Sequence, residues 1–356
     1  MKDTRYSLIA TRSVLVLFWI VTLFGFLFLP LFSRWLLPER SLTIFTWPTT
    51  LDIQYLRKFE KQTGIKLYVS YYESNQELFS KLRMTKGEGY DLIMPSDYTI
   101  ELLIKENLLK KIDKSKLTFL DRLDPRLLNL YYDPSSSYSL PFFWGTYGLG
   151  INKDYFGAEQ PPATWGLIFD KSLAPSAIGM TDEPREAIML AAQYLFGSID
   201  VLKDRSKIEQ IKKLLFQQKE WVYVYTESRS EDLLLSRSCP VIVALSADIS
   251  KIIKNHDHIG FIMPKEGIFG FIDAFVIPKT TNKDDMIYQF INFLYQPEVV
   301  LHHVKKYGFC SPVTDIQNDE VGSICPNDAQ FKKLDFFRNI VPEELLNEIW
   351  IELMAR

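Results

Sequence analysis

Short apolar runs alternate with amphipathic helical patterns along most of this chain of 356 residues. The run LTIFTW at 42–47 predicts a strand, and residues 51–64 predict a helix because their large apolar side chains share one face. The apolar run YDLIMP at 90–95 ends at a proline and suits a strand that is buried on both faces. Such alternation is typical of an α/β architecture with mostly parallel strands, which is the fold class we expect.

Later segments continue the alternation. Ser206 with Glu209 three residues on predicts the capped start of a helix. Residues 134–152 contain turn residues, aromatics and glycines without a helical period, which predicts a strand passing between domains. The remaining predicted strands lie near 65–72, 221–226, 240–246 and 271–278. A capping box of Ser74 with Glu77 predicts a helix through Leu82, and the remaining predicted helices lie at 184–196, 283–295, 297–306 and 341–354.

The size and composition of the chain allow two domain-sized cores, since 47% of its residues are hydrophobic. The formal net charge is -3, and residues 1–40 carry five Lys or Arg against two Asp or Glu. The rest of the chain is therefore mildly acidic. This balance disfavours a nucleic-acid partner, but it is too small to specify a cationic ligand by itself.

The N-terminal segment contains twenty residues without a charge, Ser13–Phe32, preceded by Lys2, Arg5 and Arg12. A helix of about twenty apolar residues spans a bilayer, so this segment predicts an uncleaved transmembrane anchor. The alternative is a cleaved signal peptide, which we disfavour because the run is long and ends in the bulky LPLFSRW. Since the basic residues precede the span, the N-terminus should be cytoplasmic and everything after about Arg40 should be exported.

The three cysteines, Cys239, Cys310 and Cys325, are too few for a disulfide-stapled scaffold. In an oxidising compartment Cys310 and Cys325 could form a bond that closes the loop between them, or both could remain reduced. Either state is compatible with the sequence. Cys239 is expected to be a buried thiol in both cases.

No recognised catalytic motif occurs in the sequence. A G-x-S-x-G elbow, a P-loop and an H-E-x-x-H pair are missing, and GLG at 148–150 lacks the third glycine of a dinucleotide fingerprint. The histidines lack the spacing of a structural zinc site and are expected on the solvated surface; they are His256, His258, His302 and His303. Catalysis is therefore not the default expectation, and neither a metal site nor a cofactor is expected.

Aromatic and acidic residues lie at the ends of several predicted strands. They include Trp47, Tyr98, Phe271, Asp273 and the acids of TDEPRE at 181–186. Because ligands of open α/β sheets bind outside the carboxyl ends of the strands, we expect one shared site. Aromatic faces attract ammonium groups and carboxylates neutralise amines removed from water, so this combination suits an organic polycation. In the alternative interpretation each aromatic is a core residue and each acid is a helix cap or a surface charge.

Six segments carry a family resemblance: TGIKLYVSYYESNQELFSKL, YDLIMPSDY, LLKKIDKSKLTFLDRLDP, YSLPFFWGT, PKEGIFGFIDAFVIP and INFLYQPEVV. In their order and spacing, residues 41–310 resemble the spermidine/putrescine-binding proteins of polyamine ABC transporters. The resemblance implies a two-lobed periplasmic-binding-protein fold of type II, whose lobes close on a ligand by a hinge. It also implies a monomer that is not an enzyme and that delivers a polyamine to the permease subunits of an ABC importer.

The resemblance further implies where the domains lie. Residues 1–40 would form the cytoplasmic N-terminus and the membrane anchor. Residues 41–146 with 273–318 would form lobe 1, and residues 147–272 with 319–356 would form lobe 2. The chain is thus expected to be periplasmic and attached to the inner membrane by its N-terminal helix.

By the same resemblance, acids would neutralise the ammonium ends of a polyamine and rings would line its methylene chain. Glu186 and Asp273 match ligand-binding acids of the family, whereas Asp182 is expected to be structural. Glu183 replaces an aspartate and keeps the charge, and Phe271 replaces a stacking tryptophan and keeps a ring. The predicted ligand-binding residues are Trp47, Ser96, Tyr98, Glu183, Glu186, Phe271 and Asp273.

Other positions depart from the family. Pro48 takes the place of a threonine, and Thr50 that of a binding tyrosine. Leu245 takes the place of a second stacking tryptophan, and Arg338 stands near a glutamine that contacts an amine. A cation at that last position would repel a cationic ligand. These departures leave open a different small solute, such as a zwitterionic amino acid or a short peptide. From another class, the lobes could serve as an anchored sensor or interaction module, or as an enzyme built on a binding-protein fold, although the sequence shows no pair of nucleophile and base.

Overall fold

The computed structural model describes residues 15, 17–19, 22, 39–48, 50–226, 229–318 and 322–355. The strands within these ranges join into one ten-stranded sheet. In chain order they are β1 (Ser41–Thr46), β2 (Lys66–Tyr71), β3 (Leu92–Ile93), β4 (Ser139–Asn152), β5 (Ile178–Met180), β6 (Val222–Tyr225), β7 (Val241–Leu245), β8 (Ile259–Ile262), β9 (Ile268–Val276) and β10 (Leu334–Phe336).

Helices separate most of the strands along the chain, as the alternating pattern predicts. From residue 39 onward the described α-helices are α1 (Ile53–Thr63), α2 (Asn75–Thr85), α3 (Asp97–Lys105), α4 (Lys153–Phe156), α5 (Gly166–Phe169), α6 (Pro184–Phe196), α7 (Arg205–Gln218), α8 (Ser230–Leu235), α9 (Ser246–Ile253), α10 (Asp284–Leu294), α11 (Pro297–Tyr307), α12 (Asp328–Phe331) and α13 (Glu343–Ala355). Short 3-10 helices lie at Lys114–Lys116, Leu120–Arg122, Pro125–Leu127, Ile199–Lys203 and Lys219–Trp221.

The sheet is mixed. Its strands follow the order β2-β1-β3-β9-β4-β7-β5-β6, with β10 beside β9 and β8 beside β4. Parallel pairs join β1 to β2 and β3, β5 to β6 and β7, and β9 to β10. The pairs of β3 with β9, and of β4 with β7, β8 and β9, are antiparallel. The expectation of mostly parallel strands is therefore wrong around β4, because this long strand runs from one half of the sheet into the other.

The two largest apolar clusters belong to different halves of the sheet. One draws its buried side chains from residues 42–143 and 275–313. The other draws them from residues 149–269 and 337–353. Burial of apolar surface is the main stabilising contribution to such a domain, so each half has a core of its own and the molecule is two-lobed. The finer lobe boundaries given above remain a prediction.

The N-terminal segment lies mostly outside the described residues. Leu15, Leu17, Phe18 and Trp19 are helical and exposed. Within the described part of the chain, no helix combines the length and the apolar character that crossing a membrane requires. The predicted anchor, Ser13–Phe32, falls largely on residues that the structure does not describe.

Two helix starts show how far the local sequence determines the helix ends. The helix α6 starts with Pro184 at its first position, where the absent N–H has no intrahelical partner to lose. The cap predicted at Ser206 is wrong. Asp204 is the N-cap of α7, and its side chain accepts a hydrogen bond from the Ser206 backbone N–H at 2.8 Å. Aspartate and serine are similarly good caps, so two competing signals lay two residues apart.

The structure shows the state of the cysteines and the location of His303. Cys310 and Cys325 form a disulfide, and Cys239 is buried, as predicted. The expectation of solvated histidines is wrong for His303, whose side chain is buried and accepts a hydrogen bond from the Asp52 backbone N–H at 3.2 Å. Burial lowers the pKa of His303 to about 4, so its imidazole is neutral at physiological pH.

Candidate functional site

A cavity of about 340 Å³ lies where the parallel strands of both halves end. This volume is within the range of small-molecule sites. The wall combines aromatic rings, acids and a few apolar side chains. The lining residues are Trp47, Pro48, Thr50, Glu73, Asn75, Ser96, Asp97, Tyr98, Tyr147, Thr181, Glu183, Glu186, Thr226, Glu231, Val243, Ala244, Leu245, Asp248, Lys251, Phe271, Asp273, Tyr307, Phe309 and Phe337.

The structure brings every predicted site residue to this one cavity. Five of them follow the carboxyl ends of β1, β3 and β5, and the other two belong to β9. The predicted residues on the wall are Trp47, Ser96, Tyr98, Glu183, Glu186, Phe271 and Asp273. Their shared location supports the expectation of a single site at the strand ends, while their contact with a ligand stays a prediction.

Asp273 is held in the half of the site formed by β3 and β9. Its Oδ1 accepts a hydrogen bond from the Ser96 hydroxyl at 2.7 Å, and the two residues also form an isolated β-bridge. The carboxyl group is buried, and this burial raises its pKa to about 7, although Ser96 and Trp47 act in the opposite direction. In the absence of a cation, Asp273 therefore loses its proton near neutral pH. A cation bound beside it would favour the carboxylate and move this proton loss to lower pH.

Asn75 organises the same end of the cavity. Its Nδ2 donates to the Tyr98 hydroxyl at 2.8 Å and to Ser96 Oγ at 3.3 Å. Asn75 is the first residue of α2, just after β2, so it occupies a strand end like the predicted residues do. Sequence analysis missed it, although the rule that found Trp47 also applies to it.

Glu186 is held by hydroxyl groups in the other half of the site. The Tyr147 hydroxyl donates to Oε1 at 2.5 Å, and the Thr181 hydroxyl donates to Oε2 at 2.7 Å. Tyr147 belongs to β4 and Thr181 follows β5, so two strands orient one buried carboxylate. At the start of α6, the N-cap residue Glu183 makes no side-chain capping bond. The contacts of Glu186 thus favour a site acid over a helix cap.

Glu183 lies at the edge of the cavity beside the C-terminal helix. Its Oε2 accepts a hydrogen bond from Gln76 Nε2 at 3.3 Å, and the same Nε2 donates to Glu343 at 3.1 Å. Burial raises the pKa of Glu183, the Gln76 hydrogen bond lowers it, and the charges of Asp182 and Glu343 raise it further. Gln76 on α2 therefore links the first half of the sheet to α6 and α13.

Tyr98 has a protein cation on its ring. The Arg185 guanidinium carbon lies 4.6 Å from the ring centroid, and Arg185 also forms an ion pair with Glu343. The Tyr98 backbone oxygen accepts a hydrogen bond from Asn339 Nδ2 at 2.7 Å. The sequence analysis predicted that the Tyr98 ring lines the methylene chain of a ligand. In the structure, one contact of this ring is with the guanidinium of Arg185.

Asp97 is a further acid that sequence analysis missed. It is the first residue of α3, next to Ser96, and its Oδ1 accepts a hydrogen bond from the Tyr98 backbone N–H at 2.8 Å. Burial raises its pKa to about 8. At pH 7 Asp97 is therefore mostly neutral and adds little negative charge to the wall.

The residues that depart from the family fall into two groups. Pro48, Thr50 and Leu245 line the cavity, and Thr50 Oγ1 donates to the Trp47 backbone oxygen at 2.8 Å. Arg338 is not on the wall. Its side chain lies 3.3 Å from Asp335 and 3.6 Å from Asp200, so these acids partner the charge that would repel a cation. The sequence-based concern about Arg338 therefore does not apply to this cavity.

The remaining rings close the wall around Phe271. Its ring centroid lies 5.8 Å from that of Tyr147 and 6.0 Å from that of Phe309, both in edge-to-face geometry. Phe337 packs edge-to-face on Tyr147 at 4.9 Å. Tyr147 and Phe309 were missed because their positions follow no strand end, and Phe337 was missed because the strand that it follows, β10, was not predicted from the sequence. An aromatic wall that carries spaced carboxylates can stack on an alkyl chain and pair with its ammonium groups.

A family model for bacterial extracellular solute-binding proteins matches residues 54–332. The chain belongs to this family. This membership confirms the resemblance to solute-binding proteins of ABC transporters that the sequence analysis stated. Membership also confirms that the chain is not an enzyme, since the family binds solutes without transforming them.

Individual relatives of this solute-binding protein carry more specific names. The spermidine/putrescine-binding periplasmic protein of Salmonella typhimurium is 30% identical over 280 residues, covering 76% of this chain and 77% of the relative. The putrescine-binding periplasmic protein PotF of Escherichia coli is 29% identical, covering 74% and 75%. A solved protein of Listeria monocytogenes, assigned to a spermidine/putrescine ABC transporter, is 29% identical with a TM-score of 0.80, covering 89% of this chain and all of the other.

Proposed function

We propose that this protein binds a polyamine, putrescine or spermidine, in its cavity and delivers it to the permease of an ABC importer. One observation carries the proposal: two buried carboxylates, Asp273 and Glu186, stand on different halves of one aromatic-lined cavity, each oriented by neutral hydroxyl groups. The names of the relatives support the same class of solute.

The proposed chemistry follows from the cost of burying charge. An ammonium group removed from water needs an opposite charge and hydrogen-bond acceptors, and each carboxylate supplies both. A polyamine has ammonium groups separated by methylenes, so it pairs with separated acids and stacks its alkyl segments on rings such as Trp47 and Phe271. In this role Asp273 and Glu186 neutralise two amines, with Glu183 as a further acid.

The proposal includes location and movement. We infer that the protein acts in the periplasm, anchored to the inner membrane by Ser13–Phe32, with lobes that close by a hinge. The exposed apolar side chains of Leu17, Phe18 and Trp19 support such an anchor, because exposed apolar surface of this kind is stabilised in a bilayer.

The test is calorimetric titration of the full chain, purified in detergent and freed of solute by unfolding and refolding. Putrescine, spermidine and spermine are the ligands, and γ-aminobutyrate and lysine are the controls. We expect saturable heat with at least putrescine or spermidine, and weaker binding of the controls. Refolded protein that gives no heat with any polyamine overturns the polyamine assignment and leaves the family membership intact.

A further inference from the structure

A lysine on the cavity wall is paired with two acids that line the same cavity. Lys251 Nζ lies 2.9 Å from Asp248 Oδ1 and also forms an ion pair with Glu231. Asp248 and Lys251 belong to α9, one helical turn apart, and Glu231 belongs to α8. Among the described residues that line the cavity, Lys251 is the one Lys or Arg, against seven Asp or Glu.

Lys251 keeps its charge at physiological pH. Burial lowers the pKa of its ammonium, but Asp248 and Glu231 outweigh this effect, and the pKa is raised above its ordinary value. Its side chain is 32% exposed, so Lys251 is partly covered where it lines the cavity. The lysine is thus a permanent cation of the wall.

The order of the strands places Asp248 and Lys251 between the strands that carry the two proposed amine sites. Asp273 belongs to β9, Asp248 and Lys251 follow β7, and Glu186 follows β5. In the sheet these strands lie in the order β9-β4-β7-β5. Acids in the middle of this row would attract an amine located in the interior of a ligand, but here Lys251 already neutralises part of their charge.

We propose that Lys251 is a built-in ammonium that occupies the inner cation position of the cavity, so that the site selects a diamine over a triamine. This inference rests on the proposed polyamine-binding function. A diamine such as putrescine has terminal amines alone and needs no inner carboxylate. A triamine such as spermidine carries an additional ammonium, which Lys251 repels and deprives of its acidic partners.

The experiment measures the ratio of spermidine to putrescine affinity by calorimetry, at one pH and one ionic strength, for the full chain and three variants. Lys251→Met removes the cation, Lys251→Arg retains it, and Lys254→Met removes a charge from the end of the same helix, outside the cavity wall. We expect Lys251→Met to raise the ratio by about tenfold or more, because two partly buried acids, Asp248 and Glu231, become available to the inner amine. The ratio should stay near the wild-type value in the other two variants.

Each outcome decides between the proposals. Polyamine binding with an unchanged ratio in Lys251→Met overturns the role of Lys251 and leaves the polyamine function standing. Absence of polyamine binding by every form overturns both. An equal rise in Lys254→Met would mean that net charge, and not the inner position, controls the ratio, and it also overturns the inference. If Lys251→Met does not fold, the double variant Lys251→Met with Glu231→Gln removes part of the excess negative charge and is expected to show a smaller rise, because Asp248 alone is then available to the inner amine; an unchanged ratio in this variant overturns the inference.

Discussion

Asp273 links ligand binding to pH. Its pKa of about 7 means that roughly half of the unliganded molecules are protonated there at neutral pH, whereas an ammonium pairs with the carboxylate form. We therefore expect polyamine affinity to rise between pH 6 and pH 8, and protons to be released on binding near pH 7. Calorimetry in buffers of different ionisation enthalpy measures that release directly.

Two substitutions test the source of these protons. Asp273→Asn should abolish most of the release and weaken binding, while Asp97→Asn, at the neighbouring acid whose pKa is about 8, should leave the step near pH 7 in place. The free energy of unfolding of the unliganded protein changes with pH in the opposite direction to the polyamine affinity. Since burial raises both pKa values in the folded chain, the unliganded protein should lose free energy of unfolding as the pH rises from about 4 to 8, and a bound polyamine should restore it. Proton release that is independent of Asp273 would contradict this assignment.

Single residues were predictable where one strand end determines their location. Trp47, Ser96 and Asp273 reach the cavity because each lies in or directly after a strand of the sheet. Lys251 could not be found in this way, since its role depends on Glu231, twenty residues earlier on a different helix. Sequence spacing does not report that contact, and only the packing of α8 against α9 creates it.

The start of α6 offers a direct comparison between a cap and a site acid. Glu186 accepts hydrogen bonds from Tyr147 and Thr181, and we expect Glu186→Gln to weaken polyamine binding by about 100-fold, because loss of one partner of a buried charge pair costs about 3 kcal/mol or more. The melting temperature of the Glu186→Gln protein should change little. Calorimetric titration and thermal unfolding measure the two effects on the same protein.

The matched control is Asp182→Asn, an exposed acid at the same helix start. It should leave polyamine affinity unchanged and reduce stability by no more than the favourable interaction of an acid with the helix dipole, about 0.3–1 kcal/mol. A Glu186→Gln protein that binds normally and melts early would instead assign Glu186 to the helix end.

Elements differ in how far their own sequence determines them. The helix α6 agrees with its predicted range, 184–196, because a proline start and a glycine stop are local signals. The strand β4 was anticipated within 134–152, but its antiparallel pairings were not. Those pairings bring Tyr147 opposite Leu245, nearly a hundred residues away, and no local pattern carries such a register.

The disulfide ties together parts of both halves of the molecule. The Cys310 backbone N–H donates to the Trp144 oxygen at 2.9 Å, and the Ile324 N–H, next to Cys325, donates to Ser250 Oγ at 2.8 Å. A cross-link over a separation of 15 residues contributes about 3 kcal/mol, mainly by restricting the unfolded chain. We expect Cys325→Ser to lower the free energy of unfolding by about that amount in chemical denaturation.

The control for this prediction is reduction. Dithiothreitol should destabilise the wild-type chain to the level of Cys325→Ser and have no further effect on the variant. Putrescine affinity should change little in either case, because neither cysteine lines the cavity. Equal stability of the oxidised and reduced wild type would show that the bond does not restrict the unfolded chain.

Hydrogen bonds between protein groups connect the two halves of the molecule. Gln76 joins α2 to Glu183 and Glu343, and Asn339 joins the C-terminal segment to Tyr98. Under the proposed hinge closure, their free energy favours the closed arrangement whatever the solute contributes. An apparent dissociation constant equals the intrinsic constant divided by the fraction of molecules already competent to bind. Gln76 and Asn339, which do not line the cavity, would therefore affect the solute concentration at which the protein is half saturated. Weaker contacts of the C-terminal helix would both lower the affinity and speed the release of solute.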